Sequence, residues 1–131
     1  MKNSTKLVIG LTIVTAATKA IISNISEKET IKIKKQDKIN YEMAEKLILK
    51  AEQIRESDIG KRALFDKNLI LLPDKKEEVK TLDMMNKMYD YAEQYIGKIQ
   101  NREDRNIEKV ELLIKRRKNT IKNRFILLNE R

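Results

Sequence analysis

Apolar residues are spread along this chain in two different ways. Residues 7–18 form a run of 12 without a charge, and after Lys19 the apolar character continues through residues 20–25. From about residue 40 onward the apolar positions recur three or four apart between charged residues, the spacing of amphipathic helices. Within 41–56, Met43, Ala44, Leu47, Ile48, Ala51 and Ile54 make one stripe, while Glu42, Glu45, Lys46, Lys50, Glu52 and Glu56 occupy the other faces. Asn40 is placed to cap this helix at its start. Ser57, Asp58 and Gly60 are expected to interrupt it. Residues 61–72 are expected to resume as helix and to stop before Pro73, because the residue preceding a proline avoids the α region. Positions 73–74 read as the clearest hinge.

A further helix is expected from Asp74, with Glu77 and Glu78 in its first turns, where negative charge suits the helix dipole. Its stripe is Val79, Leu82, Met85, Tyr89, Ala92, Ile96 and Ile99, with heptad steps from Leu82 onward. After six polar residues, 101–106, a second heptad run follows: Ile107, Val110, Ile114, Ile121 and Leu128, with Arg117 and Arg124 on the intervening core positions. Either 101–106 is a hairpin turn or one helix continues from 74 to 129. The hairpin is favoured, because a small bundle buries more than a lone rod. With only three glycines and one proline, the chain lacks the turn formers of an all-β fold. The expected class is all-α: an N-terminal apolar helix, then a small amphipathic helical bundle or helical hairpin with coiled-coil-like heptads.

Between the two patterns lie residues 26–39. Ser26 and Glu29 have capping-box spacing, and residues 30–35 alternate apolar and charged. An isolated strand has nothing to pair with, so this stretch is expected to be a helix or an extended basic linker. The chain then divides into 1–25, a signal peptide or membrane anchor; 26–39, a basic linker; and 40–131, a helical domain.

Three readings of residues 1–25 compete. Lys2 and Lys6, the short apolar core and the small residues Ala16, Ala17 and Ala20 suit a cleaved signal peptide. Residues 7–25 would also reach ~28 Å as a helix, close to the ~30 Å hydrocarbon core of a bilayer. Against a span stands Lys19, which costs up to ~2.5–3.5 kcal/mol on insertion scales. The third reading is a buried helix of a soluble protein, since uncharged runs of 10–14 residues are often that. Lys28, Lys32, Lys34, Lys35 and Lys38 outnumber the charges before the segment, so a retained anchor would keep the body in the cytoplasm, whereas a signal peptide would export it.

Composition narrows the chemistry. The chain has no cysteine and no histidine, which removes thiolate chemistry, the commonest general base and the commonest metal ligand. Phosphate-binding glycine loops, the nucleophile elbow and the EF-hand spacing are absent. No cofactor, metal or enzymatic activity is expected. Tyr89, Tyr91 and Tyr95 cluster on one helix, with packing as the better account of Tyr89. The net charge of +9 is concentrated at both ends of the chain, where it attracts phosphate on lipid or nucleic acid.

The leading expectation is a membrane-anchored or exported, non-enzymatic helical protein. It would act as a scaffold, adaptor or adhesin-like module through helix–helix association, with a protein partner or with itself. The seam residues Leu82, Met85, Tyr89, Ile96, Ile99, Val110 and Ile114 are the candidates for that association. The alternative is a basic helical protein that binds nucleic acid through Lys115, Arg116, Arg117, Lys118, Lys122 and Arg124. These six side chains form the candidate anionic-surface patch, although without interleaved aromatics to stack on bases.

Overall fold

The computed structural model describes residues 27–129, and over that span the chain is all-helical. The expected N-terminal apolar helix lies outside the described residues. Among the described residues no helix is long and apolar enough to cross a membrane. The elements are α1 (Glu27–Glu56), α2 (Asp58–Phe65), a 3₁₀ turn (Lys67–Leu71), α3 (Lys76–Gly97) and α4 (Arg105–Asn129).

Helix α3 is the hub, packing against α1, α2 and α4. It runs antiparallel to both long neighbours: Asp37 of α1 meets residues 100 and 101 just past its end while Glu52 reaches Tyr89, and Lys118 of α4 reaches Asp90 and Glu93. Leu82, Met85, Tyr89, Ala92 and Ile96 on α3 are fully buried. They face Ala44, Ile48 and Ala51 of α1, and Ile107, Ile114, Ile121 and Leu128 of α4 continue the same core. The alanines on α1 allow close approach. Both heptad stripes are thus consumed within a single chain, because a helix of this length gains most of its stability by burying its apolar face.

Several expected boundaries move. The basic linker over 26–39 is helical from Glu27, and Asn40 is no cap: it sits inside α1, buried at 3% exposure. The physical reason lies on the inner face. Ile33, Asp37, Asn40, Ala44, Ile48 and Ala51 share helical spacing, and the Asp37 carboxylate accepts the backbone N–H groups of Gln100 (2.9 Å) and Asn101 (3.0 Å). A polar residue on the seam is useful here because it caps a turn of another segment. Met43, by contrast, rotates outward and is exposed.

The α1–α2 break falls at Ser57, whose hydroxyl accepts the Gly60 N–H (3.1 Å) and donates to the Ile54 carbonyl, capping α2 as such residues do. Residues 66–72 do not continue the helix. Asp66 accepts the Asn68 N–H (2.9 Å) and starts the 3₁₀ turn, which buries Leu69 and leaves Leu71 and Leu72 exposed. Helix α3 begins at Lys76 rather than Asp74, whose carboxylate instead accepts the Lys76 N–H (3.2 Å).

The chain leaves helix after Gly97 and re-enters it at Arg105. Arg102 donates to the carbonyls of Ile96 (2.9 Å) and Ile99 (3.3 Å), closing α3, while Asp104 accepts the Asn106 N–H (2.8 Å) and opens α4. Glu103, which the heptad count would place on a continuous seam, is exposed in this turn.

Gly60 is buried where α2 turns back on α1, and a Cβ there would fall on the Ile54 carbonyl and crowd the Arg55 backbone. Alanine is the better helix former by ~0.8–1.0 kcal/mol, but this contact is with backbone and cannot yield. Gly60→Ala is expected to destabilise the chain by about 1–3 kcal/mol, the usual cost of overpacking. Thermal unfolding followed by circular dichroism checks this, and an unchanged or raised midpoint would refute the close approach.

Candidate functional site

The six residues of the expected basic patch separate into two groups of three. Arg117, Lys118 and Arg124 are used inside the fold. Lys115, Arg116 and Lys122 are exposed and pair with no carboxylate among the described residues.

Arg117 occupies a seam position of α4, and its guanidinium forms a two-pronged pair with Glu52 of α1, Nε to Oε2 at 2.8 Å and Nη2 to Oε1 at 3.0 Å. The Tyr89 hydroxyl donates to the same carboxylate from α3. One residue from each long helix therefore meets at Glu52. Burial pushes the Glu52 carboxyl up, but hydrogen bonds from Arg117 and Tyr89 and the charges of Arg117 and Arg55 outweigh it, and the net shift is downward. Tyr89 is raised by burial and by its bond to Glu52. A planar, always-charged guanidinium suits this fork in a way an ammonium would not.

Arg124, one heptad on, is buried and has no carboxylate partner among the described residues. It donates to backbone carbonyls instead: Nε to Ala63 (2.6 Å), Nη2 to Arg62 (3.4 Å) and to Asp66. The Arg62 and Asp66 carbonyls also accept the backbone N–H groups of Asp66 (3.1 Å) and Leu69 (3.3 Å), so α4 reinforces the end of α2 through this side chain and supplies the Ala63 carbonyl with its donor. Burial pulls the guanidinium downward, partly offset by the charge of Asp66. Nearby, Glu78 is almost fully buried and accepts from Arg62 Nε (2.9 Å), tying α2 to α3. Lys118 bridges Asp90 and Glu93 across the α3–α4 interface, at 2.8 Å to the latter.

The association candidates also have clear places. Leu82, Met85, Tyr89, Ile96, Ile99 and Ile114 are buried in the core, and Val110 packs against it half-buried. Their contacts are within this chain. Among the described residues no group of three or more acidic side chains could hold a metal ion.

What remains on the outside is a groove of about 920 Å³ between α3 and α4. Leu112, Phe125 and Ile126 give it apolar surface, Lys115, Arg116 and Lys122 line it from α4, and Asp90 and Glu93 line it from α3. The other exposed array lies along α1, where Lys28, Lys32, Lys35, Ile39, Lys46 and Leu49 follow heptad spacing on the outer face. Comparison with protein-family models, curated proteins and solved structures gave no match for this chain.

The trio at Glu52 was not visible as a site in the sequence, where Glu52 reads as one more acid on a solvated face. The signal that pointed to it was Arg117 on a core heptad position, since a charge there demands a partner.

Two outcomes follow from these geometries. Because the folded Glu52 carboxyl lies below its unfolded value of ~4.3, its contribution is present above that pH and lost as pH falls through the folded value. Glu52→Gln is expected to be less stable by about 1–2 kcal/mol at pH 7, with the gap from wild type closing below about pH 4. Urea unfolding from pH 3 to 7 measures it, and a gap independent of pH would contradict the assignment. Arg124→Leu keeps the volume buried but leaves the Ala63 carbonyl without its donor and removes the second donor from the Arg62 and Asp66 carbonyls, and is expected to cost about 1–3 kcal/mol. Arg124→Lys should recover only part of this, since one ammonium cannot span all three acceptors, and full recovery in the same unfolding measurement would show that charge alone matters.

Proposed function

We propose that this chain is a non-enzymatic helical module attached to a membrane, or exported across one, through residues 7–25, and that it works by binding another protein on its helical surface. The observation that carries the reading is the start of α1. The described residues are helical from Glu27, which follows the apolar stretch closely in sequence, and Lys28, Lys32, Lys35 and Lys38 are exposed along this part of α1. Lysines in that position meet anionic headgroups, at ~1 kcal/mol each near the surface. Beyond them the chain supplies a stiff three-helix body whose polar interior groups are occupied in holding helices together, which suits presentation of a surface better than turnover of a substrate.

Fractionation of cells expressing the chain, with intact-mass measurement, tests the location. Full-length protein in the membrane fraction, or protein shortened by about 16–20 residues outside the cytoplasm, is the expected result. Full-length protein confined to the soluble fraction would overturn it.

A further inference from the structure

We propose that the groove between α3 and α4 is the docking site for an amphipathic helix of another protein, one that carries carboxylates along one flank of an aliphatic stripe. This deepens the partner-binding half of the proposed function and is independent of where residues 7–25 place the chain.

Shape is the first argument. On α4 the groove is lined by residues 112, 115, 116, 118, 119, 122, 125, 126 and 129, and on α3 by 86, 90 and 93. The α4 positions form one face, with a central row 112, 115, 119, 122, 126 and 129 in steps of three and four, the spacing that receives a further helix at coiled-coil geometry. The α4 wall spans 18 residues, ~26 Å, long enough for about two and a half heptads of a partner.

Chemistry is the second. Leu112 and Ile126 are each 48% exposed and Phe125 is half-buried between them, so the groove offers apolar surface that only an apolar stripe can cover. Lys115, Arg116 and Lys122 have no carboxylate among the described residues, whereas Lys118 is shared between Asp90 and Glu93 on the opposite wall and leaves one of their two negative charges uncompensated. The groove is therefore positive on balance, with the excess on α4 and a residual negative charge on α3, which asks for carboxylates only on the flank of the occupant that faces α4.

The same pattern disfavours other occupants. A nucleic-acid backbone running along the groove would bring phosphates against Asp90 and Glu93 and would leave Leu112 and Ile126 without partners. A flat bilayer surface cannot enter a concave site. In a second copy, the lysine-bearing outer face of α1 would oppose Lys115, Arg116 and Lys122, and Asp83, Asp90 and Glu93 of α3 are already paired.

The test uses the full chain in nanodiscs of zwitterionic lipid and a fluorescein-labelled 21-residue peptide with Leu at heptad positions a and d, Glu at g and Gln at e, so that its carboxylates lie on one flank. Binding is followed by anisotropy. The peptide is expected to bind, and Lys115→Glu with Lys122→Glu should weaken it at least tenfold, as should Ile126→Asp. The matching peptide with Lys in place of Glu should not bind. These side chains are exposed, so circular dichroism should show unchanged helicity in the variants. Lys46→Glu with Lys50→Glu, on the outer face of α1, should leave the affinity unchanged.

No binding of the acidic peptide would overturn the proposal. So would equal binding by the Lys115/Lys122 variant, tighter binding of a 20-nucleotide single strand that the same variant abolishes, or a concentration-dependent dimer in sedimentation that Ile126→Asp dissolves. Loss of peptide binding in the Lys46/Lys50 variant alone would move the helix-binding surface to α1, refuting the groove while leaving the partner-binding reading intact. A chain found soluble by fractionation would refute membrane attachment and leave the groove untouched.

Discussion

Arg117 brings a half-buried charge to a seam position of α4, and the three long helices meet around the carboxylate that pairs with it. Glu52 supplies the counter-charge from α1, and Tyr89 supplies a hydrogen bond from α3 to the same carboxylate. Apolar seams alone tolerate sliding by a heptad at modest cost. A two-pronged pair that also needs a particular hydroxyl does not, since a slip of one helix would break all three hydrogen bonds at Glu52 and leave two half-buried charges apart. The trio therefore links α1 to α4, whose backbones otherwise touch little, and fixes both against α3.

Arg124 applies the same constraint by a different route. It meets no carboxylate, so its charge is spread over the carbonyls that end α2. Those carbonyls carry the partial negative charge of a helix C-terminus, and the guanidinium adds to the backbone N–H groups that two of them already accept. The short helix α2, only eight residues long, is below the length at which helices persist alone. It is held by tertiary contacts at each end: the Ser57 cap and Gly60 packing at its start, and Arg124 at its finish. The two arginines, seven residues apart on α4, thus position two different neighbours.

This explains why the fold was legible in the sequence and its joints were not. The stripes on α3 and α4 follow heptad spacing, and burial tracks them residue by residue from Leu82 to Ile99 and from Ile107 to Leu128. The all-helical class follows from that periodicity and the scarcity of Gly and Pro. The extension of α1 back to Glu27 was hidden because its inner face there is polar: Asp37 and Asn40 interrupt the apolar pattern, and Asp37 is on the seam to hold a turn more than 60 residues away. Glu52 was hidden for the same reason. Local pattern reports what a helix buries, and it is silent about a carboxylate whose partners come from two other helices. Arg117 and Arg124 were the visible half of those contacts, as charges on core positions, but nothing in the spacing distinguished a carboxylate partner from a set of carbonyls.

The division of the basic patch carries the last step. Counted along the chain, six cations within ten residues suggest one electropositive surface. Around the helix they point in different directions, and burial sorts them: Arg117 and Arg124 turn to the core, Lys118 turns to α3, and Lys115, Arg116 and Lys122 face out. The first three neutralise charges the bundle itself creates, so they add little to its outward field. The remaining three sit beside Leu112 and Ile126, on a wall whose opposite side is acidic. A surface selected only for phosphate would gain from removing Asp90 and Glu93 and from replacing the exposed aliphatic residues. Their presence makes the groove amphipathic in cross-section, and an amphipathic groove is complementary to an amphipathic helix.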